Sequence, residues 1–299
     1  MVEFFKELDV KILAALIAAI TSIITVLITI GTKNFLEKNL HSYKLKSNYA
    51  YDQKRKIKDV IAQNKGHLLS AAASLNGRMK NLTSRSENQQ WLRMHGDYNP
   101  EDRYYFKSFL YRILRFYAWI DILEKDLIYL DTAIAESDDM EFVKYLKVFP
   151  EIFHDGDLVE NMGRTHDQVE HDLIYRDEFK NMYLWMINDN QKVISFNKFK
   201  QLYLENLNRF EKLCAYLDCI HPDEDRFRWD RICGLQLLVI GLLNKYGYDY
   251  QFTDKKYLKQ LIDRQGKTRI FGNIKKHIYE KYKIKKKGLK IIFSALEDS

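Results

Sequence analysis

The side chains best suited to chemistry lie towards the C-terminus. From Lys255 to Lys290 the sequence carries fourteen basic residues against Asp263 and Glu280, a net of plus twelve. Its first part holds Lys255, Lys256, Lys259, Arg264, Lys267, Arg269, Lys275 and Lys276, and Tyr257, Phe271, Tyr279 and Tyr282 are interleaved along the segment. Cations that hold phosphates beside rings that take bases are the composition of a groove for single-stranded nucleic acid or an oligonucleotide. Arg264, Lys267 and Arg269 cluster around Gly266 and Gly272, where backbone can approach a phosphate. Two other readings stand beside this one. The segment could lie on an anionic membrane surface, or pair with the acidic residues 136–172 of the same or a neighbouring subunit. Gly266-Lys267-Thr268 is not a Walker loop, because Leu261 stands where its first glycine belongs.

That acidic window holds eleven carboxylates against Lys144, Lys147 and Arg164, a net of minus eight, together with His154, His166 and His171. His166 and His171 are five residues apart, about 140° around a helix, so they do not share a face as zinc-binding histidines four apart do. A solvated acidic surface is expected, and no metal centre. Arg112 and Arg115 sit among Tyr104, Tyr105, Tyr111, Phe116 and Trp119. Arginine between aromatics can stack on a base and hold its phosphate, although core rings with a paired or snorkelling arginine are the commoner case. The chain contains no Gly-x-Ser-x-Gly elbow, dinucleotide fingerprint, kinase signature or paired zinc-ligand set. No enzymatic activity and no cofactor are expected.

These groups must be positioned by helices. Three Pro and twelve Gly in 299 residues favour long uninterrupted helices over a turn-rich β fold. Cys214, Cys219 and Cys233 lack metal spacing and read as reduced thiols. Between Lys11 and Lys33, the nineteen residues Ile12 to Ile30 carry no charge. In a helix they reach roughly 28 Å, about one hydrocarbon core. We therefore expect an all-α protein with a short tail (1–11), one transmembrane helix (12–32), a basic helical stalk (33–82) and a helical domain (83–299).

Ala14, Ala18, Thr21, Thr25 and Thr29 fall on one face of the transmembrane helix. Small and hydroxyl residues let helices approach closely in a membrane, so this face predicts a homo-oligomer, in which the Thr stripe could line a water-filled path. The competing reading, ranked behind oligomerisation, is that the hydroxyls bond back to their own carbonyls, as in any helix. Lys33 to Lys58 holds eight basic residues and two acids, whereas the eleven residues before the span hold two basic residues and three acids. The bias places the N-terminus outside and the large remainder in the cytoplasm.

Further along, Asn99 and Pro100 are good helix-start residues for an almost wholly apolar helix from Tyr104 to Leu130. Phe196 to Ile220 has amphipathic spacing, and Pro222 opens a helix containing the apolar run Ile232 to Leu243, too short to span a bilayer. Thr83 to Asn99 is a loop with Trp91 as an anchor.

An anchor with a small, Thr-rich face from Ala14 to Thr29, a basic stalk, a helical domain without catalytic motifs and the basic stretch Lys255 to Lys290 together resemble bacterial anti-phage membrane effectors. The plan is most similar to the ion-channel component of the Hailong defence system. The resemblance implies an oligomeric inner-membrane channel controlled by DNA oligomers that a partner nucleotidyltransferase makes. Ligand binding in the soluble domain would shift a closed–open equilibrium, which requires unequal affinity for the two states. The alternatives are a non-conducting membrane-tethered nucleic-acid-binding or scaffold protein, and a membrane-anchored enzyme with a dispersed site.

Overall fold

The computed structural model describes residues 10–83, 94, 103–159, 162, 172–222, 224, 226–265, 270–284, 292 and 294–295. Among them the protein is all-α; no strand is present, only an isolated bridge between Ile187 and Val193. The chain divides between Arg55 and Lys56 into two units. Helix α1, Val10–Thr83, contributes to both.

In the N-terminal unit the helix is long and apolar enough to cross a membrane, with a mean hydropathy of 2.6 over its most apolar stretch and none of that stretch buried. Ala14, Ala18, Thr21, Thr25 and Thr29 are all exposed. Thr21, Thr25 and Thr29 each donate to the carbonyl four residues earlier at 2.7 Å. The donors are thus satisfied within the helix, which leaves small, largely apolar surface on this face. Phe35, Leu36, Leu40 and Tyr43 extend the exposed apolar surface into the segment expected as a stalk.

In the C-terminal unit the same helix changes role. From Ile57 onward its side chains enter a core, with Ile57, Ile61, Leu68, Leu75 and Met79 buried. The domain thus begins well inside the segment 33–82.

Helices α2 (Tyr104–Leu127) and α8 (Arg228–Tyr246) are the centre of this unit. Both are apolar on nearly every side and so must be covered all round. Short helices supply the cover: α3 (Ser137–Leu146), α4 (Glu151–His154), α5 (Arg176–Leu184), α6 (Phe196–Glu205) and α7 (Glu211–Leu217). Then follow α9 (Lys255–Gln265), α10 (Ile270–Asn273) and a π-helical turn, Ile274–Glu280. α2 packs on α5 and α6, while α4 and α10 pack on α8. Edge-on rings fill the space between them, including Phe116–Phe149 at 4.8 Å and Tyr117–Phe179 at 4.6 Å.

Polar pegs fix the arrangement. Arg231 is fully buried and donates to the carbonyls of Ile152 at 2.6 Å and Asp155 at 3.0 Å. The Tyr145 hydroxyl donates to the Leu238 carbonyl at 2.9 Å, and that of Tyr117 to Phe149 at 2.8 Å.

Three expected elements differ in extent. The helix expected over 196–220 breaks into α6 and α7 around a 3-10 turn, Leu207–Arg209. There Asn206 leaves helical geometry (φ −137°, ψ 43°), and its side chain donates to the Leu202 carbonyl at 3.2 Å beside its own N–H at 3.0 Å. α8 starts at Arg228 and not at Pro222, because Asp172 binds the chain just before it: its carboxylate accepts from the Phe227 N–H and from Arg226 Nε, both at 2.7 Å. α2 ends at Leu127, three residues early. Asn99, Pro100 and Trp91 lie outside the described residues, as does most of the 83–99 loop.

Phe149 packs against Phe116 of α2 and Tyr145 of α3 and has no exposed surface. Phe149→Ala should destabilise the protein by about 3–5 kcal/mol, read as an earlier denaturant midpoint with the slope unchanged.

Candidate anion-binding site

A group of arginines without an acidic partner among the described residues forms where the C-terminal end of α1 lies against the start of α2. Ser74 and Arg78 on α1, and Ser108 and Arg112 on α2, repeat one pattern: a serine and an arginine four residues apart, on one helix face. Each arginine reaches the serine of the other helix. Arg112 Nε donates to Ser74 Oγ at 2.8 Å, and Arg78 donates to Ser108 Oγ at 2.9 Å. Arg112 also donates to the Ser108 carbonyl at 3.1 Å and to its hydroxyl.

Rings frame the cluster. The Arg78 guanidinium lies 4.4 Å from the ring centre of Tyr105 and 5.7 Å from that of Tyr104. Tyr104 is exposed and meets Phe196 edge-on at 5.6 Å.

No carboxylate among the described residues forms an ion pair with Arg78, Arg112 or Arg115. The electrostatics register this. Partial burial of Arg112, and then the neighbouring charges of Arg78 and Arg115, lower its affinity for its proton, with Tyr104 opposing. The Tyr104 hydroxyl is held below its ordinary value by its hydrogen bond with Ser108 and by Arg112 and Arg78. Half-buried like charges without acidic partners are relieved by a bound anion, and guanidinium groups match the oxygens of a phosphate. Arg112 and Arg115 stand out in the sequence through their aromatic neighbours. Arg78 does not, since it lies 34 residues upstream of Arg112; the repeated Ser-x-x-x-Arg was the available signal.

The basic C-terminal segment is organised differently. Lys255 and Lys256 are exposed at the start of α9, Lys276 is exposed, and Lys259 and Lys275 are half-buried. The Arg264 side chain, and Lys267 and Arg269 as a whole, lie outside the described residues. The rings expected to take bases are occupied. Phe271 and Tyr279 are buried, Tyr279 beside the Tyr145 hydroxyl, and Tyr282 donates to Glu151. Tyr257 lies under Lys80 Nζ, 4.6 Å from its ring centre.

The segment docks on the acidic window of its own chain. Asn273 donates to the Leu158 carbonyl at 2.9 Å, and Lys281 lies 3.6 Å from the carboxylates of both Glu151 and Asp155. Lys281 of the basic segment thus pairs with the acidic window of its own chain. The acidic window is also less solvated than expected: Glu141, Glu151 and Asp172 are buried, and each is bound to a cation, Lys245, Arg176 and Arg226 respectively. His154 faces Glu151 at 3.4 Å and Arg176 at 3.1 Å. His166 and His171 lie outside the described residues, and among those described no cluster of metal-ligating side chains occurs.

The comparisons with known proteins give no match: no family, no curated protein and no solved structure corresponds to this chain.

Glu151 is the node of the tail contact. Burial alone would raise its carboxyl; hydrogen bonds to His154 and Tyr282, with the charge of Lys281, outweigh burial and hold it at about 2, against an ordinary 4.5. The unfolded chain therefore takes up this proton first on acidification. The contribution is fully present above pH ~4.5 and is lost as the pH falls towards ~2. Glu151→Gln should flatten the pH dependence of thermal stability across that interval, measured as melting temperature against pH.

Proposed function

We propose that this chain is an oligomeric, single-pass membrane effector whose helical domain binds a phosphate-bearing ligand, a nucleotide or DNA oligomer, at the Arg78–Arg112–Arg115 cluster. The observation that carries the proposal is that one helix serves both ends. α1 presents an unburied apolar stretch of bilayer length and, further along, the Ser74 and Arg78 side chains of the cluster. A ligand that alters the packing of those two residues acts on the helix whose other end carries Ala14, Ala18, Thr21, Thr25 and Thr29. The excess of Lys and Arg after the span favours an N-terminus outside and a domain in the cytoplasm, and the resemblance supports a bacterial inner-membrane location. The resemblance to anti-phage channel components supplies the role: a ligand-gated ion channel in defence, with the ligand made by a partner nucleotidyltransferase.

One observation favours the non-conducting alternative, a membrane-tethered nucleic-acid-binding or scaffold protein. The Thr21, Thr25 and Thr29 hydroxyls spend their protons on their own helix, so a path lined by them would offer ions oxygen acceptors but no free donors.

Conductance separates the two. Detergent-extracted protein should be oligomeric, and Thr25→Leu should change the permeability of cells or vesicles while assembly persists. Oligomers without any permeability change support the scaffold, and a strict monomer sinks both oligomeric forms. For the ligand, Arg112→Glu should weaken binding of a short single-stranded DNA about tenfold or more and flatten its salt dependence. The pair Lys267→Glu and Arg269→Glu should do so only if the basic segment, and not the arginine cluster, is the site.

A further inference from the structure

A second place in the C-terminal unit has the shape of a small-molecule site. A groove of about 540 Å³ runs between the end of α2, the turn after it, α3 and α5. Ligand pockets generally span about 300–1,000 Å³. Another cleft, lined by residues from Leu243 to Phe252, measures about 270 Å³ and has no cationic side chain in its lining.

The floor of the larger groove is apolar, formed by Leu127, Leu130, Met140 and Val143. Charge is confined to its walls. On one wall Asp121 is buried and committed: its carboxylate lies 2.7 Å from Lys125 Nζ and 3.6 Å from Lys180 Nζ. On the other, Lys144 on α3 and Lys147, three residues on and just past the helix end, line the groove, and no carboxylate among the described residues forms an ion pair with either. Glu124 and the Thr132 hydroxyl complete the lining and carry no hydrogen bond among the described residues. Burial and nearby Asp121 raise the Glu124 carboxyl, against the pull of Lys147.

The charge balance selects the ligand. Four ammonium groups against two carboxylates leave two positive charges, the complement of a phosphate monoester, which carries about −1.5 to −2 at neutral pH. An apolar floor calls for an aliphatic or aromatic body next to that anion, and Glu124 with Thr132 offers partners for a hydroxyl group. We propose that this groove binds a small organic phosphate monoester of nucleotide size, with the phosphate on Lys144 and Lys147 and the body over Leu127 and Met140. The site shares no residue with the arginine cluster, so it stands or falls independently of the membrane-effector proposal.

Pyridoxal 5′-phosphate is a suitable probe because it carries both a phosphate monoester and an aromatic body. Its aldehyde condenses with a lysine amine, losing water, and borohydride reduces the resulting imine to a stable amine. Full-length protein in detergent should label saturably at Lys144 or Lys147, mapped by mass spectrometry, at least tenfold above the exposed lysines of α1. Pyridoxal, without the phosphate, should lose that selectivity, and adenosine monophosphate should protect. Labelling spread evenly over the lysines, or equal selectivity with pyridoxal, overturns the proposal. The double variant Lys144→Gln and Lys147→Gln, confirmed helical by circular dichroism, should abolish saturable binding of pyridoxal phosphate. Retained binding also overturns it.

Discussion

The C-terminal unit is governed by the need to cover two helices that have no polar face. α2 and α8 carry buried side chains around nearly their whole circumference. A helix of that kind is stable in water only inside a sheath. The short helices α3 to α7 and the turns around α10 are that sheath, and their shortness follows from the curvature of what they enclose. Each offers a turn or two of apolar surface, such as Phe142 and Leu146 on α3 or Phe199 and Tyr203 on α6, before the chain must bend. Ordered backbone at those bends needs polar partners, and this is where Asp172, Arg228 and Arg231 act. Arg228 alone donates to the carbonyls of Tyr216 at 2.9 Å and Asp218 at 2.8 Å while bound to Glu224.

Charge follows from the same constraint. Once the sheath exists, acids and bases that composition places in separate blocks are brought together. The positive C-terminal segment and the negative 136–172 window are separated by about a hundred residues, yet Lys281 meets Glu151 and Asp155. Ion pairs of this sort, with one buried carboxylate, depend on hydrogen bonds as much as on attraction, since the carboxylate has given up its water. Glu151 has them, from Arg176 and Tyr282. Among the described residues the arginine cluster has no acidic half of that kind. Two serine oxygens are weak compensation for guanidinium groups held together, and this is the feature on which the ligand proposal rests.

The apolar N-terminal stretch and the two central helices were legible because each depends on hydrophobicity alone: Ile12 to Ile30 by length, Tyr104 to Leu130 and Ile232 to Leu243 by near-complete apolarity. Element ends were less so. The break at Asn206 is a side-chain bond to Leu202, and the start of α8 is set by Asp172, over fifty residues earlier; neither leaves a mark in local periodicity. The aromatic residues of the basic segment were read as ligand platforms because composition cannot tell a ring that faces outward from one that faces a core. Phe271 and Tyr279 face the core. Arg112 and Arg115 were visible as arginines among rings, but the site exists only because α1 supplies Ser74 and Arg78 from across a helix interface.

That interface gives the gating proposal its physical content. An equilibrium between two states moves only if a ligand binds them unequally, so the site must contain contacts that can differ. A pair of reciprocal Arg–Ser hydrogen bonds between α1 and α2 is such a contact, because a phosphate offers either guanidinium a stronger acceptor than a serine hydroxyl does. Binding would trade an inter-helix bond for a ligand bond, loosening the hold of α2 on α1 through these two residues. Leu68, Leu75 and Met79, buried from the same helix, oppose any large displacement, which limits the change to a shift or rotation within the packed state. Under the gating proposal, the apolar packing would limit any shift of α1 within the C-terminal unit, and the arginine cluster would be where a ligand acts.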